Sequence, residues 1–547
     1  MAFVINDYFV PGYLEDALRK VGKLNVTATS PPGDGIVVRH LQVDRDVLNL
    51  AGRELRSRRH ELLGGGDRVG WEDVSGRLSG LNALVTDICR GGSALREEAL
   101  KVLPRTSGFS SEMVRILLDS FTGLMPEKAW YDTNGALPPN QAALEFVKMS
   151  SGYAKYYSGP LRVSLPKLLA TSRRHRARPV LPLPVTGIPR LVANIAAGNA
   201  PGIAIVEALL ALFVGAASLG KNASAEPYFG SRLLAELAVL ESRRGLFPLS
   251  DLVTLVTFQG TEQPLLEELV QQADHLQVTG GLDSQRDISR LVRRLRPRSP
   301  RDLKRRVSGH WHKVSFDVIA NEYLRPEWGD TVAFNVAFDN SMFNTQGCLS
   351  AQQVFVEGRE GEVLQFAERF VEHMRAILRG LPKGARPHDR LREMYEWYEN
   401  RGGVTILTAL RDMQTYPFFV ACESETKEFA VYNALNRSIL IRRVDRLETD
   451  LPRLLGIGEK RDLLQSCGVA VPQERLLGLA EILGRAGVNR IVAAGNIWNM
   501  RLGAESWDGY MPPTDLIAPQ LGYWTTISFD DLDRELLRVE ARNKALL

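Results

Sequence analysis

The stretch IPRLVANIAAGNAPGIAIVEALLALFVGAASLGK, Ile188 to Lys221, decides how the rest of the chain is read. LVANIAA is a short, continuous apolar run of strand length, GNAPG is a turn, IAIVEALLALFVG has the length of a helix, and AASLGK is a second apolar run. A bilayer-spanning reading competes, because Ala200 to Leu219 is nearly long enough to cross one. Glu207 sits in the middle of that run, however, where a charge costs ~2.5–3.5 kcal/mol even on a lenient insertion scale. Pro201 and several glycines break the run further. A buried strand-turn-helix unit accommodates the same residues, and no membrane span is expected.

Downstream the pattern repeats: helix SRLLAELAVLESRR, strand DLVTLVTF, helix EQPLLEELVQQA, strand HLQVTGG. Such alternation predicts a parallel sheet with helices on both faces, an α/β class. Ligands in these sheets bind at the carboxyl ends of the strands, where the GNAPG and TGG turns fall. Neither turn is a GxGxxG, so a nucleotide site cannot be argued from that fingerprint. Upstream, LREEALKVL and SSEMVRILLDSFTGLM carry apolar residues at helical spacing, which predicts a mainly helical N-terminal region. The arginine- and proline-rich TSRRHRARPVLPLPV, Thr171 to Val185, marks a boundary. The expected division is a helical region over 1–175, a nucleotide-binding unit over 176–315, and a catalytic unit with a C-terminal segment over 316–547.

A chain of 547 residues is long enough for two or three cores. With 44% hydrophobic and 24% charged residues it is globular, and a net charge of +4 gives no global reason to bind nucleic acid. Cys89, Cys348, Cys422 and Cys467 are scattered, with no CxxC pair. That argues against a disulfide framework or a metal site and suits a reducing cytoplasm. The N-terminus has no basic segment ahead of an apolar one, so no signal peptide is read.

NTQGCLSAQQVFVEG, Asn344 to Gly358, holds the most informative cysteine. Gly347 would let the backbone fold tightly, projecting the Cys348 thiol into a cleft as a nucleophile. The plain alternative is a small core residue. In AAGNAPG the Asn199 amide could stabilise an oxyanion, worth ~3–4 kcal/mol, or could simply cap the next helix. Lys221, in GKNASAEP, ends the following strand and could meet an adenosine ribose or its phosphate. Thr279, Gly280 and Gly281 form a turn where a helix entrance would favour a pyrophosphate.

The order of these motifs resembles the aldehyde dehydrogenase superfamily. Within it, AGNAPG, LGKNASAEP, QGCLSAQQVFVE and the late SWDG are similar to the long-chain acyl-CoA reductases of LuxC type. The likeness runs from about Leu103 to Gly509. It implies a Rossmann-like nucleotide-binding domain beside an α/β catalytic domain, with the active site between them. Cys348 would be the acyl-accepting nucleophile, and Asn199 with the Cys348 N–H the oxyanion hole. Lys221 would lie against the adenosine ribose, and Thr279, Gly280 and Gly281 would border the dinucleotide.

Two departures from the wider superfamily bear on the chemistry. Aldehyde oxidisers carry a water-activating glutamate in an ELGGK stretch before the cysteine. The corresponding segment here is VSGHWHKVSF, with no carboxylate until Asp317 and with glycine at the aligned position, Gly309. Hydride delivery to the acyl-enzyme can then compete with hydrolysis, running from thioester to aldehyde; His312 or His310 could handle the proton, the plainer reading of either being a surface or structural histidine. Where NAD-preferring relatives carry a glutamate three residues after the lysine, this chain has Ser224, which tolerates a 2′-phosphate and favours NADPH. The basic stretch Arg290–Lys313 is either a solvated face or a docking surface for coenzyme A phosphates or an acidic acyl-carrier protein. The resemblance further implies a homo-oligomer and an acyl-protein synthetase as partner. The rival functions are an oxidative NAD(P)-dependent aldehyde dehydrogenase and a non-reducing protein that holds an acyl group.

Overall fold

The computed structural model describes residues 3–30, 35–63, 74–89, 91–120, 189–213, 215–295, 307–385, 390–408, 413, 415, 417–431, 435–500, 505–508, 525–529 and 531–547. The Thr171–Val185 connection lies outside them. Among the described residues there are three sheets, and their strands are labelled β1 to β16 in chain order.

β4 (Leu191–Ile195), β5 (Ala217–Lys221), β6 (Val253–Val256), β7 (His275–Thr279) and β8 (Val307–His310) form a five-stranded sheet in the order β6-β5-β4-β7-β8. Every pairing is parallel. β4 to β6 are buried along their whole length, as a sheet covered on both faces requires. Alternate side chains serve two cores: Val192 and Leu255 pack with the helices Ile203–Phe213 and Phe229–Arg244, while Leu191, Ala193 and Val256 pack with Arg45–Leu63 and Gln263–Gln272. The winding reverses at β4, which has β5 on one side and β7 on the other. This switch point opens a crevice at the carboxyl ends of β4 and β7, where AGNAPG and TGG lie.

The N-terminal region is less purely helical than its periodicity predicts. Among the described residues it holds, beside five helices, a small sheet of β1 (Phe3–Asn6), β2 (Val26–Thr29) and β3 (Ile36–Leu41), ordered β1-β3-β2. Short runs such as VTAT carry too little pattern to stand out in a helical context. Phe9 then bridges Leu255, adding a backbone contact to the edge strand β6 of the five-stranded sheet.

The third sheet has eight strands: β9 (Val314–Ile319), β10 (Ala351–Glu357), β11 (Val404–Ile406), β12 (Phe419–Glu423), β13 (Ser438–Val444), β14 (Leu464–Ala470), β15 (Arg490–Ala493) and β16 (Thr526–Ile527). Their order is β11-β12-β13-β10-β9-β14-β15-β16, parallel except at β11. Only Trp311 to Lys313 separate β8 of one sheet from β9 of the other, so the expected division at 315/316 falls inside β9.

Arg490 on β15 anchors the loop that follows. Its guanidinium is buried against Glu505 at 2.8 Å and donates to the carbonyls of Ile497, Asn496 and Asn499. Arg490→Leu would take the guanidinium away from the buried Glu505 carboxylate, a loss of about 3–5 kcal/mol. Denaturant unfolding should show the midpoint falling accordingly; an unchanged midpoint would mean that water reaches Glu505.

Candidate active site

The helix Pro326–Ser341 ends in a buried corner, and the chain then passes through Phe343, Asn344 and Thr345 with φ of 50°, 52° and 60°. Three successive non-glycine residues in the left-handed region cost on the order of 1–3 kcal/mol each and persist only when their surroundings fix them. Here Thr345 Oγ1 donates to the Asn340 carbonyl at 2.8 Å and Asn344 Nδ2 to the Lys383 carbonyl at 2.8 Å. Arg437 grips both residues: its Nε donates to Asn344 Oδ1 at 3.1 Å and its backbone N–H to Thr345 Oγ1 at 2.9 Å. Gly347 does not provide the tight turn expected of it. It is absent from the positive-φ residues, and a Cβ there would make only ordinary contacts at 3.6 Å and beyond. The strain sits three residues earlier.

This corner delivers Cys348 to the start of β10, half-buried. Ser315 Oγ on β9 donates to the Cys348 carbonyl at 2.5 Å. The thiol faces the Gln465 amide, the Asp508 carboxylate and Lys313. Burial first, then Asp508, pushes its pKa up to about 12, against the opposing pull of the Gln465 hydrogen bond, the Cys348 N–H and Lys313. Asp508, itself left-handed at φ 53°, accepts from Gln465 Nε2 at 2.5 Å and pairs with His310 Nδ1 at 2.9 Å. The His310 ring stacks on Trp507 with centroids 3.8 Å apart. Of the two candidate histidines, His310 is built into this cluster, whereas His312 is half-buried and burial lowers its pKa. At Gly309 an added Cβ would lie 2.2 Å from Trp311 Nε1, so a side chain there requires the indole to move.

Asn199 reaches the segment just before Cys348 from the other sheet. Its Nδ2 donates to the Gln346 carbonyl at 3.2 Å, which leaves a second amide hydrogen on the same nitrogen. Gly198 lets this turn press against the next motif, since a Cβ there would meet the Ala225 Cβ at 2.7 Å. Glu226 locks the two motifs together, accepting from the N–H groups of Gly202, Tyr228 and Phe229, with burial pushing its pKa up to about 7.

Lys221 is buried at the end of β5, its ammonium 5.3 Å from the centre of the Phe258 ring. Burial lowers its pKa and Glu262 opposes the shift. Ser224 is exposed just beyond. Thr279 ends β7, and Gly281 is the N-cap of the helix Leu282–Arg294, so the N–H groups of that first turn are available to an anion. A Cβ on Gly280 would lie 2.8 Å from the Ser284 Cβ, so the turn requires glycine. A bare helix entrance, a glycine cradle and an exposed neutral serine beside a lysine fit a dinucleotide.

The structure therefore brings Cys348, Asn199, Thr279 and His310 to facing edges of two sheets. Gln465, Asp508, Lys313, Ser315 and Trp311 were not among the residues read from the sequence as candidates. SWDG was visible as a motif without a role, and LQSCGVA carries no signal that marks Gln465. Among the described residues no group of three or more His, Cys, Asp and Glu side chains could hold a metal, and no helix is long and apolar enough to cross a membrane.

Residues 187–518 match a protein family described as acyl-CoA reductase (LuxC). Among curated proteins none matches the sequence. Solved structures with the same fold include an oxidoreductase from Marinobacter aquaeolei, at 13% identity over 84% of this chain and 85% of that one, TM-score 0.56. An NAD-dependent benzaldehyde dehydrogenase from Corynebacterium glutamicum is similar at 14% identity over 86% and 90%, TM-score 0.56. An aldehyde dehydrogenase from Brucella melitensis biovar abortus 2308 is similar at 12% identity over 85% of each chain, TM-score 0.56. At such identities these structures speak for the aldehyde dehydrogenase fold alone.

Cys348 alkylation by iodoacetamide, followed at its own peptide by mass spectrometry, should rise about tenfold per pH unit through the neutral range toward a thiol pKa of about 12. Asp508→Asn removes a negative charge that opposes the thiolate, so its curve should move to lower pH by about one unit. A curve that shifts upward would mean that Asp508 activates the thiol.

Proposed function

The chain belongs to the acyl-CoA reductase (LuxC) family, and on that footing we propose that it converts an acyl thioester to an aldehyde with NADPH through an acyl-enzyme on Cys348. One observation carries the reading. A cysteine follows a strained, clamped corner two residues after a carbonyl that takes an asparagine amide from the other sheet, and Gly309 leaves no room for a side chain beside the Trp311 indole as it stands.

Cys348 Sγ attacks the thioester carbonyl, and the thiol proton leaves with coenzyme A or a carrier thiol. The second Asn199 amide hydrogen and the Cys348 N–H receive the oxyanion. NADPH, when bound, supplies the hydride. Asn199 then holds the resulting alkoxide until the C–S bond breaks, releasing aldehyde and a Cys348 thiolate. A thiol with a pKa of about 12 takes back one proton, and His310, paired with Asp508, is the group placed to provide it in preference to His312. Lys221 and the exposed Ser224 accept the 2′-phosphate, and Thr279, Gly280 and Gly281 border the pyrophosphate. Arg290, Arg293 and Arg294 line an exposed face of the same domain, suited to coenzyme A phosphates or an acidic carrier protein, although Arg290 and Arg294 pair with Asp287 and Glu267.

With NADPH withheld, incubation with acyl-CoA should leave a stable acyl adduct on Cys348, since a general base is worth typically ~10²–10⁴-fold. Adding NADPH should discharge it as aldehyde, and Cys348→Ala should take up no acyl group. Rapid release of free fatty acid without cofactor would favour a hydrolase or an oxidative dehydrogenase, and NADPH-independent retention of the acyl group would favour the acyl-holding protein.

Ser224→Glu should raise the KM for NADPH by roughly tenfold or more while that for NADH changes little, through like-charge repulsion of the 2′-phosphate. Equal effects on both cofactors would remove Ser224 from the specificity pocket.

A further inference from the structure

Glu207, the acid that interrupts an otherwise apolar helix, has no part in the chemistry above. Its side chain is fully buried on the helix Ile203–Phe213, which leads away from the Asn199 turn. One carboxyl oxygen is hydrogen-bonded to the Thr279 hydroxyl, and the other has no partner. Neighbouring elements carry charges of their own: Lys221 on β5, His275 on β7 and the charged residues of the helix Phe229–Arg244. None of them acts on Glu207; burial raises its pKa well above the carboxylate range, and only the Thr279 hydroxyl opposes the shift.

We infer that Glu207 works as a neutral acid, donating its proton to Thr279 Oγ1 and so turning the Thr279 hydroxyl hydrogen toward the dinucleotide. The argument rests on the reading of Thr279 to Gly281 as the dinucleotide turn. A hydroxyl has one hydrogen and two lone pairs. Beside an ionised Glu207, the single hydrogen of Thr279 is spent on the carboxylate, and only lone pairs face the cofactor, whose phosphates are acceptors too. Beside a protonated Glu207 the roles reverse: the acid donates, and Thr279 is free to donate upward. One buried proton thereby sets the polarity of a contact at the switch point of the sheet, and Glu207 acts as a positioning residue through Thr279.

The test is NADPH binding by fluorescence titration of the full chain from neutral to alkaline pH. Wild-type affinity should hold while Glu207 keeps its proton and fall as the pH rises through its elevated pKa. Glu207→Gln keeps a neutral donor toward Thr279 and should bind within about threefold of wild type without that alkaline fall. Glu207→Leu and Thr279→Val should each weaken binding roughly tenfold, the scale of one hydrogen bond to a charged group. Infrared spectra at neutral pH should contain a protonated-carboxyl band that Glu207→Gln removes. A Gln variant as weak as the Leu variant, or an absent band, would overturn the inference. If Glu207→Leu fails to fold, Thr279→Val with wild-type affinity would overturn it as well. A wild-type chain that binds neither NADPH nor NADH would instead reject the dinucleotide turn itself.

Discussion

The candidate active site depends on a single strand passage. Val307 to Ile319 runs along the edge of the five-stranded sheet as β8, crosses in three residues, and enters the middle of the eight-stranded sheet as β9. There β9 is hydrogen-bonded to β10 on one side and β14 on the other. β10 follows directly from Cys348 and β14 carries Gln465, so their parallel registers against β9 fix the nucleophile and its amide neighbour relative to Ser315. The same short run places His310, Gly309, Trp311 and Lys313 around them. A slip of one residue would turn every alternate side chain to the other face, exchanging Ser315 for Phe316 beneath the cysteine. The burial of β9, β10 and β14 along their full lengths is what makes that slip costly.

Much of this was legible in the sequence because apolar runs and turn residues act locally. The strands and helices from Leu191 to Arg294 follow the predicted alternation, and the GNAPG and TGG turns fall at the switch point, as strand order in open α/β sheets requires. The less legible features depend on contacts between distant residues. Gly347 looks like the residue that bends the turn before Cys348, yet the bend is made by Phe343, Asn344 and Thr345, of which only Asn344 has a local preference for the left-handed region. They hold that shape because Arg437 and Lys383, far along the chain, grip them. Asp508 is as obscure, because its position depends on the Arg490–Glu505 pair that draws the loop back over β8.

The charges around the site share a pattern. Cys348 and Glu207 are both held by burial toward their neutral, protonated forms, while burial pushes Lys221 toward its neutral, deprotonated one. On the proposed function, a negatively charged thioester and a negatively charged dinucleotide share this crevice. Keeping the protein's own potential anions neutral lowers the repulsion they meet, and the Asp508 carboxylate is hydrogen-bonded by Gln465 and His310.

The indole at Trp311 has a consequence for how such an enzyme could change its trade. On the proposed function, an oxidative descendant would need a carboxylate at position 309. Introduced first, that side chain collides with Trp311; removing Trp311 first takes an indole off the five-stranded-sheet core and still supplies no base. Neither single step offers a working intermediate, so the two substitutions are epistatic. Selection acting on one mutation at a time would find the reductive and oxidative forms separated by a valley, although their backbones are superimposable in outline.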